Sequence, residues 1–544
     1  KVVFDKTGTI TNGKMEVISI LDGSLNEYTN INELLPSYRQ ILIDSIIYNN
    51  DSEYDSTTNK IIGGNITDKA LLSFAGQNKK DTIKIIDKIM FNSQNKYSIS
   101  IIEKNNKKIK LIKGAPDVLL KYTTNYIDEN GKSKYLDKEK LMSIIKEKTN
   151  KGIRAIAIST SQSIYPTDNI RRNILVGIIF IKDEIRKEAK DGLNLIKSAG
   201  INTIMVTGDS KETATSIAKE VGIVSNNADV ILSSNELSKL NDDELKKIIP
   251  RLKVVSRALP EDKKRLVLLS KELGLVTGMT GDGVNDCIAL KKADVSFAMG
   301  SGTEVAKEAS DIVILDDNIV SISKAILYGR TIFKNIRKFI IFQLSVNVSA
   351  ILLALIGPFI GVPSPITVVQ MLWINMVMDT LAGLAFSYEV PRIEYMKEPP
   401  KKKEENILNK YMINEILSSG LYSLVLCIIF LKLPIIKSLF VDNNHFMTSF
   451  FCLFIFLATF NAFNARTHRL NIFAHLSENK IFLLIILFII IVQISITYSG
   501  ITIFQTTRIN IKELLITIVL SFSIIPLDII RKIITKKTKH NFGV

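Results

Sequence analysis

Cysteine is scarce in this chain. Of 544 residues only Cys287, Cys427 and Cys452 carry a thiol, none of them in a CxxC pair or beside a histidine at ligand spacing. A disulfide framework and a structural zinc site are thereby excluded. No GxxxxGK[ST] and no GxGxxG occurs, so neither a P-loop nor a dinucleotide-binding turn is needed. There is no internal repeat and no RNA- or DNA-binding motif. The excess of 70 Lys+Arg over 54 Asp+Glu is therefore not read as a nucleic-acid footprint. Much of it flanks long apolar runs, where basic loops are expected. A signal peptide is also missing, which is uninformative because no initiator Met precedes Lys1.

What is present is unevenly distributed. Residues 1 to about 330 are polar and mixed. Beyond them lie six apolar runs, at about 335–357, 365–388, 411–433, 446–465, 480–500 and 512–530. Each approaches the ~20 residues that cross a bilayer. Arg337 and Lys338 precede the first run, Lys397 and Lys401–Lys403 follow the second, Arg466 and Arg469 follow the fourth, and Arg531, Lys532, Lys536 and Lys537 follow the sixth. Basic loops at every second turn predict a multi-pass integral membrane domain over 324–544, with the catalytic part and the C-terminus cytoplasmic.

The polar part reads as an interrupted α/β domain. Apolar strands end on acidic motifs: Val2–Phe4 before Asp5, Thr203–Val206 before Thr207-Gly208-Asp209, and Leu275–Met279 before Thr280-Gly281-Asp282. Helical runs follow the latter two, which predicts a doubly wound parallel sheet whose strand ends share one crevice. This domain takes residues 1–13 and 183–323, and the insertion 14–182 is large enough for an α+β domain of its own. Surface loops are expected at about 50–60 and 123–138.

An aspartate at the C-terminal lip of a buried strand is a placed nucleophile. Asp5 would attack a phosphoryl group and carry it as an acyl phosphate, with Lys6, Thr7 and the following backbone N–H groups around it. Asp282 supplies the hard oxygen that Mg²⁺ prefers, with Asn285 and Asp286 just beyond. Lys263 is the candidate cation on the phosphoryl oxygens, and Thr207, Gly208 and Asp209 would close the crevice. Within the membrane runs, Asp379 is the one deeply placed carboxylate. Inserting it unpaired costs on the order of 2.5–3.5 kcal/mol, which marks it as functional. Asn375 lies four residues earlier, on the same helix face, and Asn347 sits midway along the preceding run. Three side chains cannot fill the ~6–8 oxygen positions around Ca²⁺, so other ligands must come from outside this chain.

The string Asp5-Lys-Thr-Gly-Thr-Ile-Thr11 resembles the phosphorylation site of the P-type cation-transporting ATPases, and Thr207-Gly-Asp209, Pro260-x-x-Lys263 and Thr280-Gly-Asp-Gly-Val-Asn-Asp286 follow in that family's order. The resemblance implies a haloacid-dehalogenase-like phosphorylation domain, with Asp5, Thr7 and Asp282 as the Mg²⁺ set. Lys113-Gly-Ala-Pro-Asp117 is similar to the family's KGAP(E/D) signature, and Phe91-Asn-Ser-Gln-Asn-Lys96 to its adenine-side segment. By the same resemblance, Asp68, Phe91, Lys96, Lys113, Gly114, Arg154 and Arg257 would bind ATP, and Asp183-Glu-Ile-Arg186 would be the hinge. Phe4 and Cys287-Ile288 depart from the calcium branch, which usually has Ser and Ala-Pro there, without removing a catalytic group.

Phe342-Gln-Leu-Ser-Val-Asn347 and Gln370-Met-Leu-Trp-Ile-Asn375-Met-Val-Met-Asp379 resemble two transport helices of calcium pumps, nearer the plasma-membrane type. Asn347, Asn375 and Asp379 would hold the transported Ca²⁺. Ala350 and Ala458 stand where the other calcium-pump branch has glutamates, so one calcium per cycle is expected. The family's actuator domain, with its TGES motif, and its first four spans are not found, so the chain is read as the C-terminal part of a longer protein. Transport of sodium, protons or manganese stays open, because oxygen ligands overlap. So does a half-protein without transport activity of its own.

Overall fold

The protein's structure, a computed structural model, describes all residues except 56–59, 78–81, 93–94, 162, 363, 500 and 538–544. Parts of the loop expected at 50–60 and of the segment Phe91–Lys96 thus lie outside the described residues. The described chain forms two compact units, Lys1–Ser323 with Pro399–Lys403, and Lys324–Glu398 with the residues from Glu404 onward.

Val2–Asp5 is a wholly buried strand, as a short β-branched and aromatic run is when a sheet covers it on both edges. It lies inside a seven-stranded sheet in the order Val230–Ser233, Leu252–Ser256, Thr203–Val206, Val2–Asp5, Gly278–Gly281, Val295–Met299, Ile312–Ile314. Every pairing in this sheet is parallel. The helices Lys211–Glu220, Pro260–Glu272 and Cys287–Lys292 are among those that alternate with the strands, giving the expected doubly wound α/β architecture. Strands from 203–256 lie on one side of Val2–Asp5 and strands from 278–314 on the other. The order therefore switches at the nucleophile strand, and a crevice opens beyond its carboxyl end. Val3, Ile204, Val206, Val255, Leu266 and Met279 pack in the core beneath it. Burying each such side chain contributes roughly 1.5–3 kcal/mol.

Residues 11–185 build a second, nine-stranded sheet in which all pairings but one are antiparallel. Thr11–Leu21 and Asn173–Ile185 pair with each other, from Thr11 opposite Ile185 to Leu21 opposite Ile178. The chain thus leaves the parallel sheet and returns to it through two strands held side by side. The boundaries expected at 13 and 183 fall inside this pair. Two loop expectations are corrected. Ser52–Tyr54 pairs with Ile61–Gly63, and Thr123–Ile127 pairs with Ser133–Tyr135 across a turn at Asp128–Gly131. Their Tyr, Ile and Thr residues favour strands despite the polar setting.

Among the described residues, six helices are long and apolar enough to cross a membrane: Ile319–Ile360, Val368–Ser387, Lys410–Lys432, Asn443–Arg466, Lys480–Ser499 and Ile511–Lys537. The first begins well before the expected 335, because its amphipathic start, with Ile319 and Ile322 buried, continues in helical register into the apolar run. Asn443–Arg466 is the most enclosed, and its Phe446 stacks on Phe430 of the preceding helix at 5.1 Å. The second span is interrupted by a π-helical segment, Trp373–Met378, directly before Asp379. Such segments are frequent at functional sites.

Phe180 is fully buried in the nine-stranded sheet, with the Lys148 ammonium 4.6 Å above its ring. Phe180→Ala is expected to cost about 3–5 kcal/mol, read as a lower midpoint of the first unfolding transition of the full chain in denaturant.

Candidate functional site

Parallel pairing of Asp5 with Val206 brings Thr207-Gly208-Asp209 beside the nucleophile, and pairing of Val3 with Met279 brings Thr280 and Asp282 to its other side. The strand Gly278–Gly281 runs two residues beyond the expected Met279, so Asp282 stands at its end. Thr280 Oγ1 accepts a hydrogen bond from the Asp5 N–H at 3.1 Å, and Asp5 Oδ1 accepts one from the Lys6 N–H at 2.9 Å. Lys263 Nζ, from the first turn of Pro260–Glu272, lies 3.2 Å from Asp5 Oδ2 and 2.6 Å from Asp286 Oδ1. The carboxylates of Asp5, Asp282 and Asp286 all come within 4.8 Å of one another.

This crowding has an electrostatic signature. Burial pushes the Asp5 carboxyl up to about 7; Lys263 opposes the shift, while Asp286 and Asp282 add to it. Burial also raises Asp282, and the Asp286 charge reinforces it. Burial disfavours the Lys263 ammonium, but the adjacent Asp5 and Asp286 carboxylates outweigh it and hold its pKa above the ordinary value. Three carboxylates facing one lysine leave negative charge uncompensated, and their donors are all hard oxygens. Both features suit a small divalent cation such as Mg²⁺.

Glycine is required in the first motif. Gly8 has φ +73°, and a Cβ there would lie 2.3 Å from Asp282 Oδ2. Lys6 does not reach Asp5 through its ammonium. It is buried and bridges Asp183 and Asp209, each at 3.1 Å. Asp183 also accepts hydrogen bonds from Thr11 Oγ1 at 2.7 Å and the Gly13 N–H at 3.0 Å. Arg186 donates to the Gly8 carbonyl at 2.9 Å. Thr207 is buried, and its Oγ1 accepts from the Asp209 N–H at 3.1 Å. Thr7 and Asn285 are exposed, as is Gly208.

A cavity of about 560 Å³ is lined by Asp68, Phe91, Lys96, Lys113, Gly114 and Arg154 among others. Asp68 and Lys113 are both buried and form an ion pair at its base. Burial pulls the Lys113 ammonium below its ordinary pKa, with Asp68 working against the shift. Phe91 is half exposed and Lys96 is exposed. A Cβ on Gly114 would approach the Lys96 carbonyl to 2.7 Å, so the neighbouring strand itself demands glycine there. A second cavity, of about 620 Å³, is lined by Lys6, Asp183, Gly208, Asp209 and Arg257. Arg154 lines both cavities, and its Nη1 donates to Thr67 Oγ1 at 2.9 Å.

In the membrane unit, Asp379 is buried and its Oδ2 accepts from Gln343 Nε2 at 2.7 Å. Its Oδ1 has no hydrogen-bond partner among the described residues. Gln343 and Asn347 are four residues apart on one helix. Asn347 is half-buried, and Asn375, inside the π-helical segment, is exposed while Asp379 is not. Glu415 and Asp528 are as deeply buried, but each is paired, Glu415 with Arg531 at 3.1 Å and Asp528 with Lys532 at 2.6 Å. From the sequence, Asp183 and Arg186 read only as the ends of the hinge, and Thr280 and Gln343 only as members of their motifs. All four sit within the motif strings, and only the fold shows which atoms they touch.

The family described as haloacid dehalogenase-like hydrolase matches residues 2–294, and a second family of that description matches 277–326. The chain belongs to the haloacid dehalogenase-like hydrolases. Residues 363–534 of this chain also match the family described as cation transporting ATPase, C-terminus. Similar proteins include calcium-transporting ATPase 8, plasma membrane-type, of Arabidopsis thaliana, 32% identical over 97% of this chain and 52% of that protein. Plasma membrane calcium-transporting ATPase 4 of Bos taurus is 32% identical over 94% of this chain and 47% of its own length. Calcium-transporting ATPase PAT1 of Dictyostelium discoideum is 32% identical over 97% and 52%. The resemblance carried by the motifs is thereby borne out. The chain spans about half the length of these relatives.

Lys113→Met would strand the buried Asp68 carboxylate and is expected to destabilise the chain by about 3–5 kcal/mol. Adding Asp68→Asn in the same chain should recover most of that loss in denaturant titrations. A double variant no more stable than the single one would show that the pair matters by packing alone.

Proposed function

We propose that this chain is the C-terminal portion of an ATP-driven, calcium-transporting P-type ATPase. The observation that carries this reading is the cluster at the carboxyl end of Val2–Asp5, where Asp5, Asp282, Asp286 and Lys263 converge in a chain that also holds six membrane-length helices. The relatives' names supply the ion. Residues 14–182 would form the nucleotide-binding domain, with ATP in the cavity of Asp68, Phe91, Lys96, Lys113, Gly114 and Arg154. Its phosphates would run past Arg154 and Arg257 toward Lys6 and Asp209.

The Asp5 carboxylate then attacks the γ-phosphorus. The bond to the bridging oxygen breaks, ADP leaves with that electron pair, and an aspartyl phosphate remains. Lys263 follows the charge on the transferring oxygens, and the Lys6 N–H and Thr280 hydroxyl fix the position of Asp5. Asp5, Thr7, Asp282 and Asp286 would hold Mg²⁺, which supplies charge neutralisation on the phosphates when bound. Thr207, Gly208 and Asp209 would border the transferred group, with Asn285 at its outer edge. The transported ion would sit at Asp379 with Asn347 and Asn375. Gln343 joins them through its contact with Asp379. The remaining ligands, the actuator domain and four further spans would be supplied by the rest of the protein. Both termini of the chain would face the cytoplasm.

The test is acid-stable labelling of the parent protein by terminally labelled ATP across a free-calcium titration. Labelling should rise with calcium, be released by hydroxylamine and fall to background in Asp5→Asn. Asp379→Asn should lose the calcium stimulation and keep nucleotide binding. Labelling that needs Asp5 yet ignores calcium would reassign the pump to another hard cation.

A further inference from the structure

Within the membrane unit a cavity is walled by Lys334, Arg337, Lys338, Arg392 and Arg466, and Glu415 is the one carboxylate among its lining residues. Its volume is about 30 Å³. That is room for one or two waters or a single halide, and too little for a phosphate ester.

The charges around it do not balance. The buried Glu389 carboxylate faces three cations, Lys338 at 3.0 Å, Arg466 at 3.3 Å and Arg392 at 3.5 Å. Glu415 is already engaged by Arg531 at 3.1 Å. Lys334 and Arg337 have their own acids in Glu398 at 2.7 Å and Glu405 at 3.4 Å. Arg392 reaches Glu394 only at 3.7 Å, and Arg469 holds that carboxylate more closely at 2.8 Å. The group centred on Glu389 therefore carries excess positive charge in a low-dielectric setting, which is costly without a counter-ion.

Unused donors belong to the same residues. The Nε–H groups of Arg337, Arg392 and Arg466 are buried and have no acceptor among the described residues, and all three arginines line the cavity. Waters offer lone pairs but no net charge, so they can serve the guanidinium donors without offsetting the excess. A halide does both. We propose that this cavity binds a single chloride ion, which ties the first, second and fourth spans together at their basic ends.

The test uses the purified full chain in detergent and gluconate buffer, titrated with chloride while the chloride NMR linewidth is followed. Saturable broadening that bromide displaces and gluconate does not is expected. Arg392→Gln should weaken the apparent affinity about tenfold, equivalent to ~1.4 kcal/mol, and Lys512→Gln, an exposed cation on the last span, should leave it unchanged. Broadening that never saturates, or that is equal in all three proteins, overturns the proposal in favour of diffuse surface charge. Should Arg392→Gln fail to fold, bromide anomalous diffraction from the wild-type chain decides: a peak inside the cavity supports the site, and its absence there overturns it.

Discussion

Asp5, Asp282 and Asp286 repel one another, yet the fold holds their carboxylates within 4.8 Å. Much of the polar unit can be understood as the scaffold that enforces this. Two adjacent parallel strands, Val2–Asp5 and Gly278–Gly281, present their carboxyl ends together, so the acids arrive from separate parts of the chain on elements that are themselves locked by burial. Lys263 enters from the first turn of a helix and offsets part of the repulsion. Gly8 lacks the side chain that would collide with Asp282, and its carbonyl is held by Arg186. The residual negative charge and the hard oxygen donors suit a small divalent cation.

A second set of contacts ties the neighbouring strands to this cluster. The passage between the two sheets is a pair of antiparallel strands, and Asp183 on one of them gathers Lys6, Thr11 and Gly13 from the other and from the turn before it. Lys6 in turn reaches Asp209. The lysine of the first motif is thus a positioning residue that links three segments, and Lys263 is the cation beside the nucleophile.

The membrane unit uses charge in two ways. Glu415 is paired with Arg531 across two helices, and Asp528 with Arg531 and Lys532 of its own helix. Asp379 instead has only the amide of Gln343, leaving one oxygen without a partner among the described residues. A carboxylate at such depth without a cation beside it is costly, unlike the paired Glu415 and Asp528. Asn375 lies inside the π-helical segment directly before Asp379, an irregularity that the apolar pattern of the sequence does not show.

The periodicity of the sequence determined the parallel sheet, the six apolar helices and the acidic strand ends, because burial and hydrogen-bond satisfaction leave short local patterns few alternatives. Asp5, Asp282 and Lys263 were legible in the same way, from motif chemistry at predicted strand ends. Partner choice was not legible. That Lys6 turns to Asp183 and Asp209, that Gly114 is demanded by the Lys96 carbonyl, and that two polar stretches read as loops form hairpins all depend on contacts between residues far apart in the chain. Local propensity sets which elements form. Only the tertiary packing decides which charged atom ends nearest which, because those distances are set by elements the local pattern never sees together.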